Sequence, residues 1–205
     1  MRAMQLLRAG PVESSPLSRV EVPAPAPGPG EILVEVSACA VCRTDLQLCE
    51  GDLRARRLPI VPGHQLVGRV SAIGARVEGW AIGDRAGVAW LASACGSCAR
   101  CLEGRENLCE QALFTGWDRD GGYAEAATVR AEFALRLPDS FDDFAAAPLL
   151  CGGVIGYRSL KVCGVKPGQR LGLYGFGASA LLALQVALHW GCRVFVCTRS
   201  PQERR

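Results

Sequence analysis

The sequence predicts an α/β plus β protein: a β-rich domain over residues 1–140, then the first βαβ unit of a doubly wound sheet within 141–205. Three observations carry this. Short runs of alternating apolar residues, bounded by Gly and Pro, fill the first part. Near Pro138 the pattern changes to helical spacing with an acidic start. The last stretch, KPGQRLGLYGFGASALLALQVALHWGCRVFVCTRS, reads as strand, Gly-rich turn, helix and strand.

In chain order, Ile32, Val34 and Val36 alternate with Leu33, Glu35 and Ser37, behind the run VPAPAPGPGE. This predicts a strand preceded by a stiff extended loop inside the domain. Further strands are predicted over 66–73, 85–90 and 123–129, and a helix over 179–190. A dinucleotide fold needs several more strands than the final two, so the expectation is a truncated fold, from a fragment or an incomplete gene product.

With 205 residues, 49% of them hydrophobic, the chain can bury one domain core and part of a second. The net charge of +3 is too weak to suggest a nucleic-acid partner. Basic residues gather only at 54–57 and at the C-terminus. The apolar run 178–190 contains Gln185 and His189 and is too short to span a membrane. The N-terminus MRAMQLLRAGPVESS lacks the apolar stretch and cleavage site of a secretory signal. A soluble cytoplasmic protein is the expectation.

The chain carries 11 cysteines, an odd number, and without a secretory signal they do not read as a disulfide framework. In CGSCARCLEGRENLC, Cys95, Cys98, Cys101 and Cys109 have the spacing C-x2-C-x2-C-x7-C. Thiolates three residues apart in a tight loop can converge on one ion, and four of them close a tetrahedral shell. The reading is a structural zinc site; free cysteines or an iron–sulfur cluster are the alternatives.

Cys42 opens CRTD, His64 sits in VPGHQLVG and Cys151 in APLLCGG. Singly, each reads as a small buried hydrophobe or a satisfied polar residue. Together, two sulfurs and one nitrogen leave a fourth position open, as a catalytic zinc requires. Spacing alone does not decide between these readings.

GFGASA supplies Gly175, Gly177 and Ala180 in a G-x-G-x-x-G/A turn between a strand and an apolar helix, where a pyrophosphate meets a helix N-terminus. After the next strand come Thr198 and Arg199 in place of the carboxylate that reads the ribose of NAD. A guanidinium there favours a 2′-phosphate, hence NADP over NAD.

CRTD, PGHQLVG, the four-cysteine loop, DGGYAEAATV, APLLCGG and LYGFGASA, in this order and spacing, resemble the N-terminal portion of the zinc-dependent alcohol dehydrogenases of the medium-chain dehydrogenase/reductase family. The resemblance covers essentially all of the chain. It implies a GroES-like zinc-binding catalytic domain over 1–140 and a partial Rossmann domain over 141–205. It also implies an oxidoreductase with catalytic and structural zinc, passing hydride between small alcohols and aldehydes or ketones and NAD(P). By position, Cys42, His64 and Cys151 look like the catalytic zinc ligands and Thr44 like the hydroxyl that takes the alcohol proton. Asp45 looks like the carboxylate orienting His64, Arg43 like a pyrophosphate contact, and Trp90 like a wall of the substrate pocket. Two positions depart from the family: Gln65 replaces the usual Glu after the ligand His, and Gln47 stands where some members relay the proton through His. The resemblance leaves room for a homo-oligomeric full-length form. The rival expectations are an inactive zinc-stabilised fragment and, against the ligand count, a zinc-free quinone reductase of the same superfamily.

Overall fold

A computed structural model describes residues 1–199, which form part of two compact units dividing after Leu150. The basic C-terminal end, 200–205, lies outside the described residues.

In the first unit, β1 (Arg2–Leu6) and β2 (Leu17–Glu21) form an antiparallel hairpin. The main antiparallel sheet has the order β8 (Ala126–Arg130), β3 (Glu31–Cys39), β4 (Leu66–Ile73), β5 (Arg85–Val88) and β9 (Ala134–Arg136). Alternation along β3, β4 and β8 turns Ile32, Val34, Leu66, Val70, Ala127 and Val129 into one buried cluster with Ala86 and Val88. A small pair, β6 (Leu91–Ser93) and β7 (Leu113–Phe114), flanks the loop that contains the short helix α2 (Ala99–Leu102). The helix α1 (Arg43–Glu50) follows β3 and buries Leu48 and Cys49 against Leu6 and Ile60.

The strand predicted over 123–129 begins only at Ala126. Its first residues bond elsewhere: the Tyr123 N–H donates to Pro62 O at 3.0 Å and the Glu125 N–H to Arg2 O at 3.1 Å. The strand predicted over 85–90 ends at Val88. The helical stretch after Pro138 is interrupted. The helix α3 (Asp143–Ala146) runs into a 3-10 turn, Ala147–Leu150, that contains Pro148, before α4 (Gly152–Val162) begins. Ala146, Ala147 and Leu150 pack on Ala38 and Val67 of the main sheet, and Asp143 pairs with Arg85 at 2.7 Å. Compaction therefore divides the chain some residues beyond the change in composition.

In the second unit, β10 (Arg170–Tyr174) and β11 (Arg193–Cys197) pair in parallel through α5 (Ala178–His189), as the strand–turn–helix–strand pattern predicts. The fold class is thus a curled antiparallel sheet followed by one βαβ unit. Among the described residues, no helix is long and apolar enough to cross a membrane.

Candidate metal centres and cofactor turn

The four predicted cysteines converge. The Sγ atoms of Cys95, Cys98, Cys101 and Cys109 all lie within 4.8 Å of one another. Cys101 Sγ is 3.5 Å from Cys98 Sγ and 3.9 Å from Cys95 Sγ. Four sulfurs at ~2.3 Å from one zinc stand about 3.8 Å apart, so the cage has the size of that ion. Backbone donors are arranged for thiolates: Cys98 N–H points at Cys95 Sγ at 3.3 Å, and the N–H groups of Cys95 and Gln111 point at Cys109 Sγ, each at 3.4 Å. The amides of Ser97 and Cys98 pull the Cys95 thiol down to about 6. Burial, then the neighbouring thiols, push Cys101 up to about 12.

Cys42 is placed by α1, whose N-terminus it caps. Its Sγ accepts from Thr44 N–H at 3.3 Å, while the Asp45 carboxylate accepts the Cys42 N–H at 2.9 Å. One turn of helix thus carries Cys42, exposed Arg43, half-buried Thr44 and buried Asp45.

His64 is placed by a clasp between two loops. The Gly121, Gly122 and Tyr123 N–H groups donate to Val61, Gly63 and Pro62 carbonyls at 2.7, 2.8 and 3.0 Å, and Asp120 Oδ1 accepts the Val61 N–H at 2.9 Å. The loops approach so closely that a Cβ on Gly121 would stand 2.0 Å from Gly63 O. Only glycine permits that backbone contact. The result holds the imidazole in place, 2% exposed, with Nδ1 donating to Asp45 Oδ1 at 3.2 Å. Nε2 is left facing Cys42 Sγ at 3.3 Å.

Cys151 is bonded to Leu150, itself only 4% exposed in the cluster with Ala38 and Val67. A sulfur and a ring nitrogen sharing one tetrahedral zinc stand about 3.6 Å apart, so Cys42 Sγ and His64 Nε2, 3.3 Å apart, match zinc in type and spacing. Burial pulls His64 down, but Asp45 and Cys42 outweigh it and raise it to about 9. For Asp45, burial pushes upward, and His64, the Cys42 N–H and Tyr123 together hold it below the usual carboxylate range. Gln65 is buried, and its amide donates to Ala40 O at 3.3 Å, so it contributes no charge to the site. Gln47 lies half-buried on α1.

Trp90 meets the His64 ring edge-on, centroids 4.9 Å apart. Phe114 and Trp117 stack against Trp90 at 5.1 and 5.8 Å, and Arg56 lies 3.9 Å over Trp117. Sequence reasoning singled out Trp90 but neither of these partners, nor the clasp glycines, nor Tyr123. The DGGY run was the available signal.

In the second unit, Gly175 adopts φ +90° and its N–H donates to Cys197 O at 2.8 Å; Gly177 precedes α5, which contains Ala180. Thr198 and Arg199 follow β11 and, with Tyr174, Gly175 and Cys197, line an open cleft at the carboxyl ends of β10 and β11. Ligands of open α/β sheets bind at such strand ends.

A profile of the alcohol dehydrogenase GroES-like domain matches residues 28–139. The chain is 52% identical to the probable alcohol dehydrogenase AdhA of Mycobacterium tuberculosis (strain CDC 1551 / Oshkosh), over 100% of its own length and 61% of that protein's. It is 42% identical to an alcohol dehydrogenase of Geobacillus stearothermophilus, covering 92% of this chain and 57% of the relative. Among solved structures, the cobalt- and zinc-bound thermostable alcohol dehydrogenase from Pyrobaculum aerophilum superposes with a TM-score of 0.90 at 30% identity, covering 99% of this chain and 61% of that one. The chain spans about three-fifths of the length of these relatives.

Proposed function

Because the chain belongs to the zinc-dependent alcohol dehydrogenase family, we propose that it carries the two-zinc, alcohol-binding part of an NAD(P)-linked oxidoreductase interconverting small alcohols with aldehydes or ketones. The observation that carries this reading is the approach of Cys42 Sγ to His64 Nε2 at 3.3 Å, with Asp45 behind His64 at 3.2 Å. Cys42, His64 and Cys151 hold the catalytic zinc; Cys95, Cys98, Cys101 and Cys109 hold the structural one. When bound, zinc supplies the Lewis acidity that makes an alcohol hydroxyl acidic near neutral pH, and the nicotinamide accepts the hydride.

The chain's own residues do the rest. Asp45 fixes His64 with its proton on Nδ1, leaving Nε2 as a ligand. Thr44 Oγ1 receives the alcohol proton. Gln47 holds no titratable proton, so the proton leaves for solvent by a route other than position 47. Trp90 walls the substrate side with an apolar face, and the substrate class is a small alcohol or aldehyde. Arg43 and the turn of Gly175, Gly177 and Ala180 meet the cofactor pyrophosphate. Thr198 and Arg199 read a 2′-phosphate, which favours NADP over NAD.

Metal analysis tests the reading. The purified chain takes up two zinc ions, and His64→Ala retains one, held by the four cysteines. A His64→Ala chain that still binds two, or a parent chain that binds only one, contradicts the catalytic site. The second reading is a zinc-binding chain without turnover of its own, favoured by the single βαβ unit among the described residues. Steady alcohol-dependent reduction of NADP by the purified chain eliminates it.

A further inference from the structure

Tyr123 has no role in the chemistry proposed above, yet the fold brings it to the site. Its backbone belongs to the clasp, and its ring lies against Gly63: a Cβ there would stand 2.7 Å from Tyr123 Cδ1. The phenol is therefore pinned beside the residue that precedes His64. Its hydroxyl oxygen is buried and meets no partner in good hydrogen-bond geometry, though it stands close enough to the Asp45 carboxylate to act on it. A buried hydroxyl without a well-formed hydrogen bond is destabilising, so its retention calls for an account.

The charged and ionisable groups around that hydroxyl are Asp45, Cys39 and Cys42. Cys39 is a poor acceptor; burial pushes its thiol up to about 12, and its Sγ donates to Ala40 O at 3.8 Å. Asp45 is a good one. Oδ1 accepts from His64 and Oδ2 from the Cys42 N–H, and an ionised carboxylate offers about four lone-pair sites, so capacity remains. Tyr123 is near enough to help hold the Asp45 carboxyl down. Burial, then the Asp45 charge, raises the phenol above its ordinary value, so it stays protonated and able to donate.

We infer that Tyr123 is a positioning residue for the Cys42–His64–Cys151 site: its hydroxyl donates to Asp45 as His64 is drawn on to a metal, locking the carboxylate that orients the imidazole. This rests on the metal-site reading proposed above. Partners of metal-bound histidines typically change affinity by about 10–100-fold when removed, and Tyr123 acts one bond further out, so its effect belongs near the lower end of that range.

The test uses the 205-residue chain. Zinc affinity at each site is measured by chelator competition, and ligand-field spectra are recorded after cobalt substitution, for the parent, Tyr123→Phe, Asp45→Ala and the double variant. Tyr123→Phe keeps the ring against Gly63 and removes only the hydroxyl. The expected result is about tenfold weaker zinc binding at the three-ligand site with shifted cobalt bands, and unchanged affinity at the four-cysteine site. In the Asp45→Ala background, Tyr123→Phe then adds less than about twofold, because its effect passes through the carboxylate. Unchanged affinity and spectrum in Tyr123→Phe overturn the inference while leaving the metal site intact. Equal weakening of both sites overturns it too, since that is damage to the fold. A parent chain with no second zinc overturns the metal-site reading and this inference with it.

Discussion

At the scale of single residues, the two clusters make different demands on charge. The four cysteines have no carboxylate among them and use backbone amides to stabilise thiolates; His64 instead leans on Asp45 at 3.2 Å. Cys98→Ser should lower bound zinc by about one ion and lower the thermal midpoint, because metal and fold are coupled in such loops. Metal analysis with thermal unfolding checks this, and unchanged values in both would contradict a structural zinc. Arg199 makes a separate prediction. If it reads a 2′-phosphate from its place after β11, Arg199→Ala weakens NADP binding by roughly 1.5–3 kcal/mol and NAD binding far less. Calorimetric titration with each cofactor decides; equal losses would show that Arg199 does not discriminate.

At the scale of elements, His64 depends on two loops more than on any helix or strand. Residues 61–63 and 120–123 lie backbone to backbone, and Gly121 lets them do so. Gly121→Ala would drive a Cβ to 2.0 Å from Gly63 O. The loops must separate, and the expected cost is about 3 kcal/mol, at the upper end of overpacking penalties. Denaturant unfolding measures it, and a loss under about 1 kcal/mol would mean that the clasp yields easily. The spacing of DGGYAEAATV announced a strand, and β8 does form from its second half. Nothing local in that run announces that its first half pairs with Val61, Pro62 and Gly63, because the pairing joins segments about sixty residues apart.

At the scale of the whole molecule, the two units differ in how completely they cover their apolar residues. In the first, Ile32, Val34, Leu66, Ala86 and Val88 are 0% exposed. In the second, no residue of β10 or β11 is buried, and Tyr174 is 90% and Phe195 47% exposed. Burial of apolar area is the main stabilising contribution, and backbone amides beneath a thin cover open most readily. Amide hydrogen exchange of the zinc-loaded chain should therefore be fast in β10 and β11 and slowest in β3 and β4. The reverse order would show that the second unit is stabilised by something other than its own packing.

Taken by itself, the sequence determined the fold class, the convergence of four cysteines and the glycine turn before α5. Each of these is written in short-range spacing: period-two alternation, cysteines three residues apart, glycines at one strand end. It also named Cys42, His64 and Cys151 as candidate ligands through motifs, without a physical reason for them to meet. Only the tertiary structure decided that Cys42 meets His64, that Asp45 and Tyr123 stand behind His64, that Phe114 and Trp117 extend the wall begun by Trp90, and that α3 packs with the first unit. Those relations depend on loops closing across long separations and on side chains packing around them, and local residue patterns do not encode which distant backbone a given loop will meet.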